Sequence, residues 1–205
     1  MVLLTRKELA IILEKVQPLK KPKISLEQYT IPSELAATIL HIVNFTYDDI
    51  KDKIICDLGC GSGRFAIGAA LLGAKVVYAV DIDNDAIQLA KENAKKIGVK
   101  NIIFIRSDVR KLEELTCDVV IMNPPFGTKK RHSDIIFLEK AMQIGDIIYS
   151  LHKSGEEIRR FITSFVKSKG RNVDVILKFV FEIPHMFEHH RKTKYRFLVD
   201  LYRIL

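Results

Sequence analysis

Tryptophan is absent from the chain, and cysteine and proline are scarce, at three and six residues. Cys56, Cys60 and Cys117 match no zinc-ligand spacing, and an odd count cannot pair off into a disulfide framework. They lie in or beside strand-like segments, as buried thiols of a reducing cytoplasm would. No apolar run approaches the roughly 20 residues needed to cross a bilayer, so no membrane partner is expected. The opening MVLLTRKELAIILEK lacks the basic start, apolar stretch and small-residue cleavage site of a secretory leader. Acidic charge is short as well: 25 Asp and Glu face 33 Lys and Arg, a formal net charge of +8. That excess favours a polyanionic partner. It is concentrated before residue 25, at Lys129-Lys130-Arg131, and at Arg191, Lys192, Lys194 and Arg196. Unless the fold unites these clusters, they amount to a solvated lysine-rich surface.

What is present is an ordinary globular composition, 48% apolar over 205 residues, enough for one well-buried core. A single domain over 1–205 is therefore expected, with a helical region at 1–46 ahead of a core at 53–205. Thr5 followed by Glu8 has capping-box spacing and predicts a helix to Lys15. Ser33 is placed to cap a second helix through about Phe45. From Lys53 onward, strands alternate with helices. The strands are KIICDL, KVVYAV, NIIFI, CDVVIM and DIIYSL; the helices are Arg64 to Leu72, Asp85 to Ile97, Asp134 to Ile144 and Glu156 to Lys169. Short Val- and Ile-rich runs separated by amphipathic helices describe an α/β fold, a parallel sheet covered on both faces. Only VRKLEEL follows NIIFI, so one crossover is thinly covered. NVDVILKFVFEI and YRFLVDLYRIL, joined near Pro184, read as an appended antiparallel hairpin.

The first chemical signal is IICDLGCGSGRFAIGAA. Gly59, Gly61 and Gly63 follow a strand and open a helix, where side-chain-free positions permit a tight turn and close approach to a ligand. Asp57 ends the strand where it can order this loop and meet a cationic amino group. Asp81 ends the next strand, at the position that binds two ribose hydroxyls. The loop also satisfies the loose G-x-G-x-x-A dinucleotide pattern, so NAD or FAD stays open. Asp57 favours S-adenosylmethionine, whose amino acid moiety it can meet, over a pyrophosphate that it would repel. Asp108, after the third strand, is placed to accept from an adenine amine; it can equally cap a helix before Val109. Cys60 and Ser62 are expected to offer backbone contacts and no nucleophile.

The second signal is Asn123-Pro124-Pro125-Phe126, directly after CDVVIM, where an open parallel sheet presents residues to its ligand crevice. Two prolines remove two backbone donors and leave carbonyls free to face a substrate. A ring-attached amine is a poor nucleophile because its lone pair is delocalised. The Asn123 side-chain oxygen and the Pro124 carbonyl can accept its two N–H bonds and aim the nitrogen at a sulfonium methyl. Phe126 can stack on the target base; the alternative leaves it as a core residue beside a rigid loop. Lys129, Lys130 and Arg131 follow, fit to grip phosphates around an extracted base or to act as a solvated lid.

Together these strings resemble the small-subunit ribosomal RNA adenine-N6 methyltransferases of archaea and eukaryotes. The matches are Leu26-Glu27-Gln28-Tyr29, Asp57-Leu58-Gly59-Cys60-Gly61, Asp81-Ile82-Asp83, Val120 through Lys129 (VIMNPPFGTK) and Tyr149 through Ser154 (YSLHKS). The resemblance implies a Rossmann-like class I methyltransferase sandwich, a mostly parallel seven-stranded sheet in the order 3-2-1-4-5-7-6 ending in the antiparallel hairpin. It implies S-adenosyl-L-methionine as cofactor, bound by Gln28, Tyr29, Thr30, Asp57, Gly59, Cys60, Gly61, Gly63, Asp81, Ile82, Asp108, Val109 and Asn123. The Thr30 assignment departs from the family's usual Pro-Thr order, because Ile31-Pro32 follows it here. Small-subunit rRNA is the implied partner, met by Lys129, Lys130, Arg131, Lys153, His189, Arg191 and Lys192. A small zinc-binding activator protein is implied at the edge strand 102–105. The acceptor alternatives are a protein glutamine amide or guanine N2, and an inactive RNA-binding scaffold is a third reading. No resident metal is expected, since His185, His189 and His190 lack a complete ligand set.

Overall fold

The computed structural model describes residues 4–112, 114–126, 133–184 and 194–205. Its core is a seven-stranded sheet in the order β3-β2-β1-β4-β5-β7-β6. The strands are β1 (Ile54–Leu58), β2 (Val76–Asp81), β3 (Ile102–Arg106), β4 (Cys117–Met122), β5 (Gly145–Lys153), β6 (Val173–Pro184) and β7 (Lys194–Ile204). The first five run parallel, and β7 pairs antiparallel with both β5 and β6. The expected order and hairpin are both present.

Alternate residues of each strand feed two apolar layers, as the two-residue strand period dictates. Ile55, Val77, Ala79, Val119, Ile121, Tyr149 and Leu151 pack beneath α1 (Arg6–Glu14), α2 (Ser33–Phe45), α3 (Arg64–Leu71) and α4 (Asn84–Ile97). Cys56, Leu58, Val80, Val120, Met122 and Ile148 pack beneath α5 (Ser133–Ile144) and α6 (Glu156–Ser168). The Thr5–Glu8 capping box closes reciprocally. Ser33 departs from its expected place: Pro32 is the N-cap of α2, while the Ser33 hydroxyl donates to Glu14 and ties α2 to α1. The short crossover after β3 is a single 3₁₀ turn at Val109–Lys111. With so little above it, Ile103 remains 47% exposed on the edge strand.

Asp200 of β7 is fully buried and receives a two-pronged bond from Arg159 of α6, at 2.7 and 2.8 Å. A buried carboxylate tolerates that position only because a guanidinium matches both oxygens.

Candidate active site

The C-terminal ends of β1, β2, β3 and β4 open into one cleft of about 1330 Å³, its open mouth included. Gln28, Tyr29, Thr30, Asp57, Gly59, Cys60, Gly61, Asp81, Ile82, Asp108, Val109 and Asn123 all line it. Twelve of the thirteen expected cofactor residues thus converge, though they span nearly a hundred positions in sequence.

The thirteenth, Gly63, does not reach the lining. It adopts a positive φ of 87° as N-cap of α3, and a Cβ there would come within 3.1 Å of Ala90. Its place is close helix packing behind the loop. Gly59, at φ 73°, leaves room for the Phe137 ring of α5, which a Cβ would meet at 3.1 Å. A side chain at Gly61 would meet nothing within 4 Å, so its bareness keeps the cleft open.

The two strand-end carboxylates are held by backbone donors. Asp57 accepts from the Ala66 N–H at 2.9 Å. Burial pushes its pKa up to about 7 against that bond, and the nearby Asp81 charge adds to the rise. Asp81 accepts from Gly61 and Asp83, both at 2.9 Å. Burial raises its pKa too, although these N–H bonds oppose the shift. Each is a fixed, partly desolvated acceptor. A cationic amino group suits the first, and neutral diol hydroxyls suit the second.

Asp108 performs the capping role anticipated as an alternative, accepting from the Arg110 N–H at 3.0 Å. The Arg110 guanidinium also chelates it and holds its pKa down at about 2. It faces the cleft as an ionised acceptor already shared with Arg110. The thiol of Cys60 is buried, which raises its pKa and suits contact better than nucleophilic chemistry.

Over the cleft runs the segment between α1 and α2. The Gln28 side chain accepts from the Lys23 N–H at 2.7 Å and donates to Asp83 at 2.8 Å. Lys23 Nζ reaches the same carboxylate at 2.5 Å. Two residues that sequence reasoning passed over complete the frame. Arg64, buried at the start of α3, donates to the carbonyls of Leu13, Val16 and Ile31, clamping both ends of the covering segment. Asn93 of α4 donates to the Ser62 and Gln17 carbonyls and accepts from the Gln17 N–H, fixing the glycine loop from behind.

Asn123 Nδ2 donates to the Tyr29 carbonyl at 3.5 Å. A carbonyl can only accept, so this contact sets the amide's orientation. It leaves Asn123 Oδ1 buried and without a hydrogen-bond partner. Such an orphaned acceptor is costly unless a ligand donor meets it. Pro125 lines the cleft and Pro124 is buried behind it. Phe126 is not part of the lining: it is half-buried, packs against the larger apolar layer and makes aromatic contacts on the side of the hairpin.

The YSLHKS string is spent on internal bonds. Tyr149 donates to Asp49 at 2.5 Å, His152 pairs with Ser150 at 2.8 Å, and Ser154 accepts from Arg159 at 3.3 Å. His152 also faces Asp134 of α5 at 3.5 Å, and α5 supplies Ser133, Ile136 and Phe137 to the lining. Lys153 closes β5 half-buried, opposite Val199, and is not part of the lining. Lys129, Lys130, Arg131, His189, Arg191 and Lys192 lie outside the described residues, as do His185 and His190. Among the described residues no group of three or more His, Cys, Asp or Glu could hold a metal ion. Nor is any helix among them long and apolar enough to cross a membrane.

A parallel sheet in this order, a glycine turn after β1, an acceptor at the end of β2 and Asn-Pro-Pro-Phe after β4 define a class I S-adenosylmethionine-dependent methyltransferase. The donor set fits that cofactor, with a buried carboxylate for its ammonium and a second for its ribose. The sequence model of the ribosomal protein L11 methyltransferase family (PrmA) matches residues 37–124. The chain is 35% identical to the rRNA N(6)-adenosine-methyltransferase METTL5 of Danio rerio, over 96% of this chain and 97% of that protein. It is 34% identical to Mettl5 of Drosophila melanogaster, over 93% and 92%. A candidate RNA methyltransferase of Pyrococcus horikoshii superposes with a TM-score of 0.90 at 40% identity, covering 99% of this chain and 98% of that one. The chain belongs to the METTL5 family of rRNA N6-adenosine methyltransferases.

Proposed function

We propose that this enzyme methylates N6 of an adenine in RNA, with small-subunit rRNA as its substrate. The observation that carries the reading is the buried, partnerless Asn123 Oδ1 in the cleft. An exocyclic amine is a donor that fits this acceptor, and we assign its second N–H to the Pro124 carbonyl. When bound, S-adenosylmethionine supplies an electrophilic methyl group on sulfur. Asn123 withdraws no proton. It accepts a hydrogen bond that strengthens as positive charge develops on the attacking nitrogen, and it adds no second charge to a buried site. Phe126 stacks on the base and sets its plane. Lys129, Lys130, Arg131, Lys153, His189, Arg191 and Lys192 are assigned the contacts to the RNA phosphates.

The match to the L11 methyltransferase model ends at Pro124, before Phe126 and before the hairpin. It supports the cofactor half of the molecule without arguing for a protein acceptor. We further propose that a small zinc-binding activator protein covers the β3 edge. Ile103 supports this: an apolar side chain half open to solvent on an unpaired edge invites a partner.

Labelled methyl transfer to RNA from cells lacking this gene, followed by nucleoside mapping, tests the substrate. Label in N6-methyladenosine of small-subunit rRNA is expected. Label in guanine N2, or no label in the RNA at all, would overturn the assignment.

A further inference from the structure

Phe126 is held by two other aromatic rings. Phe181 of β6 and Phe197 of β7 face each other directly in the hairpin register. Their rings stack with centroids 5.2 Å apart and planes 20° apart. Phe126 meets that pair at right angles: 5.9 Å from Phe181 and 5.4 Å from Phe197, with interplanar angles of 89° in both cases. Edge-to-face geometry is what the ring quadrupole favours, so each contact penalises rotation of Phe126 away from this plane.

The two prolines fix the backbone of the motif but do nothing for the torsions of the Phe126 side chain. Something else must choose the ring plane, and the hairpin rings are in contact to do it. Phe181 is fully buried and cannot yield, while Phe197 and Phe126 are half-buried. A cross-strand pair is also a rigid seat, because its spacing is set by the ladder and not by side-chain rotamers.

We propose that Phe181 and Phe197 form an aromatic seat that sets the plane of Phe126 and so orients the acceptor base. They are positioning residues acting through Phe126. This rests on the base-stacking reading of Phe126 given above. It assigns the C-terminal hairpin a part in the reaction that closing the sheet does not explain.

A double-mutant cycle separates a seat from ordinary packing. Transfer to RNA is measured with F126L, F197L and the double variant, alongside S-adenosylhomocysteine affinity and melting temperature. Leucine keeps apolar bulk and removes the ring. The F126L variant should lose about 30-fold in kcat and F197L about tenfold, the scale of one or two aromatic contacts plus a stack. The double variant should stay near the F126L level, roughly 30-fold down, because Phe197 acts only through Phe126. Cofactor-product affinity should hold within about twofold. The F197Y variant, which keeps the ring, should restore transfer to near the parent level, and F181L should repeat the F197L result should that variant fold poorly.

Losses that multiply to about 300-fold in the double variant would overturn the seat. So would full activity in F197L, or cofactor-product affinity falling in step with kcat. Undiminished transfer by F126L would remove the stacking role itself and the seat with it. Loss in F126L with none in F197L removes the seat alone.

Discussion

Replacing Asn123 with alanine is expected to lower kcat for methyl transfer by about 10²–10³-fold, the usual cost of deleting one buried hydrogen-bond partner of a developing charge. Affinity for S-adenosylhomocysteine should stay within about threefold of the parent. The reason lies in how the amide is used. Nδ2 is committed to the Tyr29 carbonyl, and Oδ1 has no partner in the protein. Alanine removes the acceptor but leaves Asp57, Asp81 and the glycine loop in place. Single-turnover transfer and a binding titration check the two halves separately. Equal loss of both would make Asn123 a support of the covering segment and not an acceptor for the amine.

The second large effect is a pH dependence of cofactor binding. Burial places the Asp57 pKa at about 7 in the free protein, with Asp81 contributing to the rise. Below that value Asp57 carries a proton. An ammonium group seated beside it favours the ionised form, so binding in acid must expel the proton. Affinity therefore rises with pH up to about 7 and levels off above it. Between pH 8 and pH 5.5 the dissociation constant for S-adenosylhomocysteine should weaken by roughly 30-fold, one factor of ten per pH unit below 7. D57N should bind weakly at every pH and flatten the profile. Asp81 faces the same cleft and is also raised, but its expected partners are neutral hydroxyls, so the D57N comparison isolates the charge-dependent part. A parent profile that stayed level to pH 5.5 would remove the ammonium contact from Asp57.

Local chemistry makes much of this legible in the sequence. The Thr5–Glu8 box, the strand ends at Asp57 and Asp81 and the Asn-Pro-Pro-Phe corner each depend on residues within a few positions of one another. Periodicity and turns alone could locate them, and the resemblance supplied the strand order. The sequence offers Asp108 two local roles, and it fills the capping one while still facing the cleft.

Contacts across long stretches of chain were not legible. Arg64 reads as one letter of a glycine motif, yet its guanidinium clamps a carbonyl 51 residues away. Asn93 reads as a polar residue of an amphipathic helix, yet it bonds Gln17 across 76 positions. Gly63 looks like its glycine neighbours and differs only because Ala90 sits behind it. The contact of Phe126 with Phe181 and Phe197 needs the register of the hairpin, which reading it as a hairpin does not fix. Each of these depends on three-dimensional proximity between elements that carry no mutual sequence signal.

The most direct measurement is a crystal structure of the enzyme with S-adenosylhomocysteine and an adenine-containing acceptor RNA. The exocyclic nitrogen should lie about 3 Å from Asn123 Oδ1, at hydrogen-bond distance. Its lone pair should face the cofactor sulfur, and Phe126 should lie against the base. An acceptor nitrogen far from Asn123, with the amide still turned toward Tyr29 and its oxygen met by water, would contradict the account.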